Sequence, residues 1–131
     1  MFTRLTLLPI TVWLLAGSPG GAADEQDMIA LGAQTFADNC RKCHQLDGYG
    51  EEALYPSLHR QELLADKTLL IQTILNGRTG HRQTPTGESE RLMPALDFLT
   101  NREIAALIAF ISDSWGDGVV IVSEAEVEAA R

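Results

Sequence analysis

Apolar residues recur at steps of three and four in three separate stretches of this chain, and each recurrence predicts a helix. From Gln26 to Cys43, the residues Met28, Gly32, Phe36, Cys40 and Cys43 fall on one stripe, which predicts an amphipathic helix ending on the two cysteines. A second helix is predicted from Lys67 to Leu75, with Leu70, Ile71, Ile74 and Leu75 inward. Asp66 offers its N-cap, and Asn76-Gly77 stops it. The third starts at a capping box formed by Thr100 and Glu103. It carries Ile104, Leu107, Ile108 and Ile111 along one face until it fails near Trp115-Gly116.

Polar, turn-forming stretches separate these helices. Gln45 to Tyr55 contains Gly48 and Gly50 and reads as an irregular turn. Gly77 to Arg91, rich in Gly, Thr and Pro, reads as a hairpin or an extended loop. After Gly118 comes a short β-prone stretch, Val119 to Val122, and then Ser123 and Glu126 open a last helical turn. This tail, residues 119–131, is expected to pack on the outside or to fray.

The first residues follow a different pattern. Arg4 gives a basic start, Leu5 to Ala16 is mostly apolar, and Gly17 to Ala23 is small and turn-prone, which together predict a signal peptide over residues 1–23, cut after Ala23. The apolar run contains Pro9 and falls short of the roughly 20 residues a spanning helix needs, so no membrane association is expected after cleavage. The expected compartment is the periplasm. What remains, residues 24–118 plus the tail, is one small domain. The formal charge of −8 argues against a nucleic-acid partner and towards a partner with a basic docking face, although acidity often serves solubility alone.

The chemistry is concentrated at Cys40-Arg41-Lys42-Cys43-His44. Two thiols three residues apart on a helical turn can reach two vinyl groups on one edge of a porphyrin, and the histidine that follows points an imidazole nitrogen at the iron. The motif therefore predicts one covalently attached haem c. A CXXC pair also occurs in thioredoxin-like redox centres, in halves of zinc sites and as a local disulfide. A zinc site needs two more soft ligands and the chain has only these two cysteines; a thioredoxin centre needs alternating strands and helices. Export agrees with the haem reading, because c-type haem is attached outside the cytoplasm.

Helix, CXXCH, loop, helix, Met-Pro loop and closing helix, in that order, resemble a class I cytochrome c over essentially all of the chain after residue 23. The resemblance implies an all-α, small cytochrome c fold whose first and last helices cross around the haem. Gly32 and Phe36 look like the glycine and aromatic of that family's first helix, and Leu107 and Phe110 like the residues of its last helix that meet them. Leu92-Met93-Pro94-Ala95 stands where such proteins carry their axial methionine, a soft neutral donor that raises the reduction potential. Tyr55-Pro56-Ser57-Leu58 looks like the segment in which a proline carbonyl accepts the proximal histidine's second N–H and a leucine lies on the ring. Many relatives continue this segment with small residues and glycine, whereas His59-Arg60-Gln61-Glu62 follow here. Asn76 to Leu96 and Ser114-Trp115-Gly116 look most like cytochromes that are subunits or partners of periplasmic dehydrogenases and oxidases.

The resemblance implies single-electron transfer rather than catalysis, by a periplasmic carrier or by the haem subunit of a dehydrogenase or oxidase. Cys40 and Cys43 would be the tethers, His44 and Met93 the iron ligands, and Pro56 and Leu58 further haem-binding residues. The competing class is a haem enzyme, or a sensor of gas or peroxide, with an open distal position. Among other possible ligands, Met28 is expected in the interior and His59 and His81 in solvent. Arg78 and Trp115 could bond haem propionates, but no spacing selects them.

Overall fold

In the computed structural model, residues 20–51, 54–59, 61–84 and 87–131 are described. The expected signal peptide lies outside them up to residue 19, and residues 20–23 begin the first helix. Helix α1 (Gly20–Asn39) ends one residue before the first cysteine, and a single turn, α2 (Arg41–His44), follows. The chain was expected to run as one helix through Cys43. Instead Cys40, at φ −114° and ψ −34°, is the N-cap of a separate turn, and its carbonyl accepts from both the Cys43 and His44 amides, at 3.1 and 2.9 Å. Apolar spacing cannot reveal this, because a broken helix keeps nearly the same three-and-four recurrence.

The last long helix, α5 (Asn101–Trp115), has the predicted ends. The Thr100 side chain accepts from the Glu103 amide while the Glu103 carboxylate accepts from the Thr100 amide, forming the capping box. Helices α1 and α5 cross at Gly32, where an added Cβ would fall 2.0 Å from the Ala106 carbonyl oxygen and 2.6 Å from Phe110 Cβ. Only a residue without a side chain permits that approach. Beside it Phe36 meets Phe110, ring centroids 5.5 Å apart. The nearest neighbours of Gly32 are thus Ala106 and Phe110 rather than the expected Leu107, which is buried in the interior.

Between them, α4 (Lys67–Asn76) starts at Asp66, whose side chain accepts from the Leu69 amide, and buries Leu70, Ile71, Ile74 and Leu75. It stops at Gly77, at φ 68°. A one-turn helix that spacing did not predict, α3 (Gln61–Leu64), precedes it and buries Leu64. The Gly77 to Arg91 stretch takes the hairpin alternative: β1 (Arg78–Thr84) pairs antiparallel with β2 (Gly87–Met93), from Arg78 opposite Met93 to Thr84 opposite Gly87. Apart from this hairpin the fold is helical, as expected.

The tail packs and does not fray. Ser123 and Glu126 cap α6 (Glu124–Ala129), and Val122 and Val127 enter the core at 4% and 0% exposure. The β-prone stretch before it forms no strand among the described residues; the Val120 amide instead donates to the buried Ser112 hydroxyl at 2.8 Å. Lys67 on α4 pairs with Glu126, and this bond, together with the Ser123 donors, pulls the Glu126 carboxyl down to about 2.

Replacing Gly32 with Ala should force α1 and α5 apart and cost roughly 1–3 kcal/mol, as overpacking of a tight contact does. Denaturant unfolding of the loaded protein measures it, and an unchanged midpoint would contradict the close crossing.

Candidate functional site

The end of α1, α2, residues 54–58, α4, the start of β1, residues 93–96 and α5 enclose a cavity of about 540 Å³. That volume falls within the range of sites that enclose an organic ligand. Cys40, Cys43, His44, Pro56, Leu58 and Met93 all line it. Leu70, Ile74, Leu107 and Ile111 supply much of its apolar wall, and all four belong to the helical stripes read from sequence.

His44 is held from behind. Its Nδ1 lies 3.0 Å from the Pro56 carbonyl oxygen. A carbonyl can only accept, so Nδ1 carries the proton and the lone pair resides on Nε2. Burial lowers the His44 pKa, against the opposing pull of the Pro56 bond, and favours the neutral imidazole that a metal requires.

The carbonyl is delivered by the loop that follows. The Gly50 amide donates to the His44 carbonyl at 3.0 Å, and the Leu58 amide donates to the Gly48 carbonyl at 2.8 Å. Gly50 sits at φ 65°, where a Cβ would lie 2.5 Å from the Tyr55 oxygen and 2.9 Å from the Pro56 oxygen. A side chain there would displace the acceptor that His44 uses.

His59 departs from its expectation. It is half-buried, its Nε2–H donates to the Asp47 carbonyl at 2.8 Å, and its ring stacks on Tyr49 with centroids 4.0 Å apart. The ring also lies 5.8 Å from Trp115, so His59 closes the loop against an aromatic wall. The sequence held no indication of this, because Asp47 and Tyr49 lie ten or more residues away along the chain. His81 pairs with Glu90 in the hairpin, and its side chain lies outside the described residues.

The two thiols are unbridged. Burial, and then the neighbouring Cys43, push the Cys40 thiol up to about 12. The attacking cysteine of a dithiol redox centre needs the opposite shift, so Cys40 is poorly suited to that chemistry. Among the described residues no group of three or more His, Cys, Asp or Glu is placed to hold a metal ion between side chains.

Met93 comes from the far end of the hairpin, opposite Arg78 in register. The backbone from Met93 to Ala95 rests on Gly77: an added Cβ there would fall 2.3 Å from the Met93 oxygen and 2.8 Å from the Ala95 nitrogen. The Leu96 amide donates to the Ile74 carbonyl at 2.9 Å, tying the same segment to α4. Arg78 is exposed at the cavity's edge. Met28 is half-buried against the core and does not line the cavity, and Trp115 packs among Phe36, Phe110 and His59. Leu64 and Leu96 also line the cavity and were not foreseen, since each lies in a turn too short to show a period.

The Cytochrome c family model matches residues 29–115. The gluconate 2-dehydrogenase cytochrome c subunit of Pantoea cypripedii is 37% identical over 98 residues, covering 70% of this chain and 22% of that protein. The chain thus spans about a fifth of that relative's length. A cytochrome c-552 of Thermus thermophilus is 34% identical over 103 residues, 75% of this chain and 67% of that protein.

Gly77→Ala should cost roughly 1–3 kcal/mol, because it meets both a left-handed backbone and the Met93 carbonyl. Thermal unfolding measures the loss; wild-type stability would show that the 93–95 segment does not rest on this glycine.

Proposed function

The chain belongs to the cytochrome c family and carries covalently bound haem c, and from this premise we propose that it transfers single electrons through a His/Met-ligated iron. Haem-based electron transfer is the family's activity. The carrying observation for the ligand set is the Nδ1–H bond from His44 to Pro56 inside a cavity that also receives both cysteines and Met93. Bound haem supplies an iron that takes up and releases one electron.

The chain's own residues set the conditions for that exchange. Cys40 and Cys43 would tether the haem through thioethers, and His44 Nε2 and the Met93 sulfur would hold its iron. The Pro56 carbonyl fixes the rotation of the His44 ring and makes Nε2 the better donor. Leu58, Leu70, Ile74, Leu107 and Ile111 would exclude water from the macrocycle, and donors held by His44 and Met93 would leave little to reorganise when charge changes. Likeness to a dehydrogenase cytochrome c subunit and to a cytochrome c-552 supports a carrier or a haem subunit rather than an enzyme in its own right.

Likeness to a dehydrogenase subunit supports a redox protein as partner, and the charge of −8 supports a basic docking face on it. The basic, apolar and small-residue order of residues 1–23 supports export to the periplasm with cleavage after Ala23. Among the described residues no helix is long and apolar enough to cross a membrane.

Met93→Ala should keep the haem attached, lower the reduction potential, abolish the weak thioether-to-iron band near the red end of the ferric spectrum and admit carbon monoxide to the ferrous iron. An unchanged potential would remove Met93 as ligand, and a five-coordinate wild-type spectrum would favour a gas- or peroxide-binding protein. The apo chain made by combining Cys40→Ala with Cys43→Ala should fold poorly. The reason is size: a domain this small loses its central apolar filler together with the haem. Circular dichroism of that variant decides the point: a cooperative native-like unfolding transition would mean the haem is not structural.

A further inference from the structure

The family match ends at residue 115, yet the segment beyond it reaches back to the turn that follows Met93. We infer that Arg131 is a positioning residue which buckles this turn to the rest of the fold and so holds the methionine ligand in place; the inference rests on Met93 as the distal donor.

The guanidinium engages three acceptors on one short stretch. Its Nη1 donates to the Asp97 carbonyl at 2.7 Å, its Nη2 to the Leu99 carbonyl, and its Nε to Asn101 Oδ1 at 2.7 Å. These are fixed-fork, charge-assisted bonds, of the kind a single ammonium cannot reproduce. Asn101 in turn donates to Glu128 on α6 at 2.7 Å.

The other end of the buckle is fastened to α4. Gln72 donates to the Ala130 carbonyl at 3.2 Å, Lys67 pairs with Glu126, and Val127 is fully buried. Helix α4 is also where the methionine segment is pinned from the opposite side, by the Leu96 to Ile74 hydrogen bond and by Gly77. Residues 93–100 therefore hang between two attachments, α4 directly and α4 again through α6 and Arg131. The loop has few apolar anchors of its own, Leu96 and Leu99, with Pro94, Ala95, Asp97 and Phe98 exposed. A short segment of this kind opens locally at far lower cost than the whole domain, unless it is tied. Arg131 supplies the tie.

The test uses the full, haem-loaded chain as wild type, Arg131→Ala, Arg131→Lys and Met93→Ala. Imidazole reaches the ferric iron only when the methionine leaves, so its binding rate reports opening of the segment. The Leu96 amide exchange rate reports the same opening without reference to the iron. Loss of Arg131 should speed both by about tenfold, the scale of a lost charge-assisted bond, with a far smaller change in the global unfolding rate. Arg131→Lys should recover part of the loss. Wild-type rates in Arg131→Ala would overturn the inference, as would acceleration no larger than that of global unfolding. Should wild type bind imidazole as fast as Met93→Ala, the ligand assignment falls instead, and Leu96 exchange alone then decides whether Arg131 holds the turn.

Discussion

At the crossing of α1 and α5, backbone meets backbone through Gly32, so closely that a methyl group would lie 2.0 Å from the Ala106 oxygen. The cavity's walls follow from that approach. It sets Phe36 against Phe110 and Trp115, brings the cysteine end of α1 over the inner face of α5, and leaves Leu107 and Ile111 lining the space that α4 closes. A wider crossing would open the cavity to water and remove the low-dielectric surroundings that both a covalent macrocycle and a small reorganisation cost depend on.

Two irregular segments then deliver the chemistry to that frame, and both are held by glycine at positive φ lying against backbone. Gly50 clears the space in which the Pro56 carbonyl meets His44, and Gly77 provides the seat on which Met93 to Ala95 lie. The proximal loop gains a further closure from His59, through Asp47 and the Tyr49 ring. The segment after Met93 gains one from Arg131. The two sides are thus built on one plan: a rigid helix end, a short loop draped over a glycine, and a distant side chain bonded to the loop's carbonyls. Loops arranged this way keep their shape without a large core of their own, which a chain of this length cannot supply.

The tail joins the site to the outer face of the fold. Val122 and Val127 bury apolar surface, and the capping box at Ser123 keeps α6 helical despite its six-residue length.

Local rules were enough to read α4, α5 and α6, because each has a cap or a stop written in adjacent residues: Asp66 and Gly77, Thr100 and Glu103 before Gly116, Ser123 with Glu126. The attachment motif was legible for the same reason, its geometry being confined to five consecutive residues. The break at Cys40 was not, because apolar spacing survives it, nor was α3, too short to show a period; the roles of His59 and Arg131 and the Ala106 contact of Gly32 rest on partners that only the folded chain brings near. Sequence alone therefore determined that α4, α5 and α6 form, where they are capped and which chemistry the chain carries, as these depend on neighbours within a turn or two. Tertiary structure alone decided how the proximal and distal loops are aimed and held, because hydrogen bonds such as Arg131 to Asp97 join residues 34 apart and leave no periodic trace.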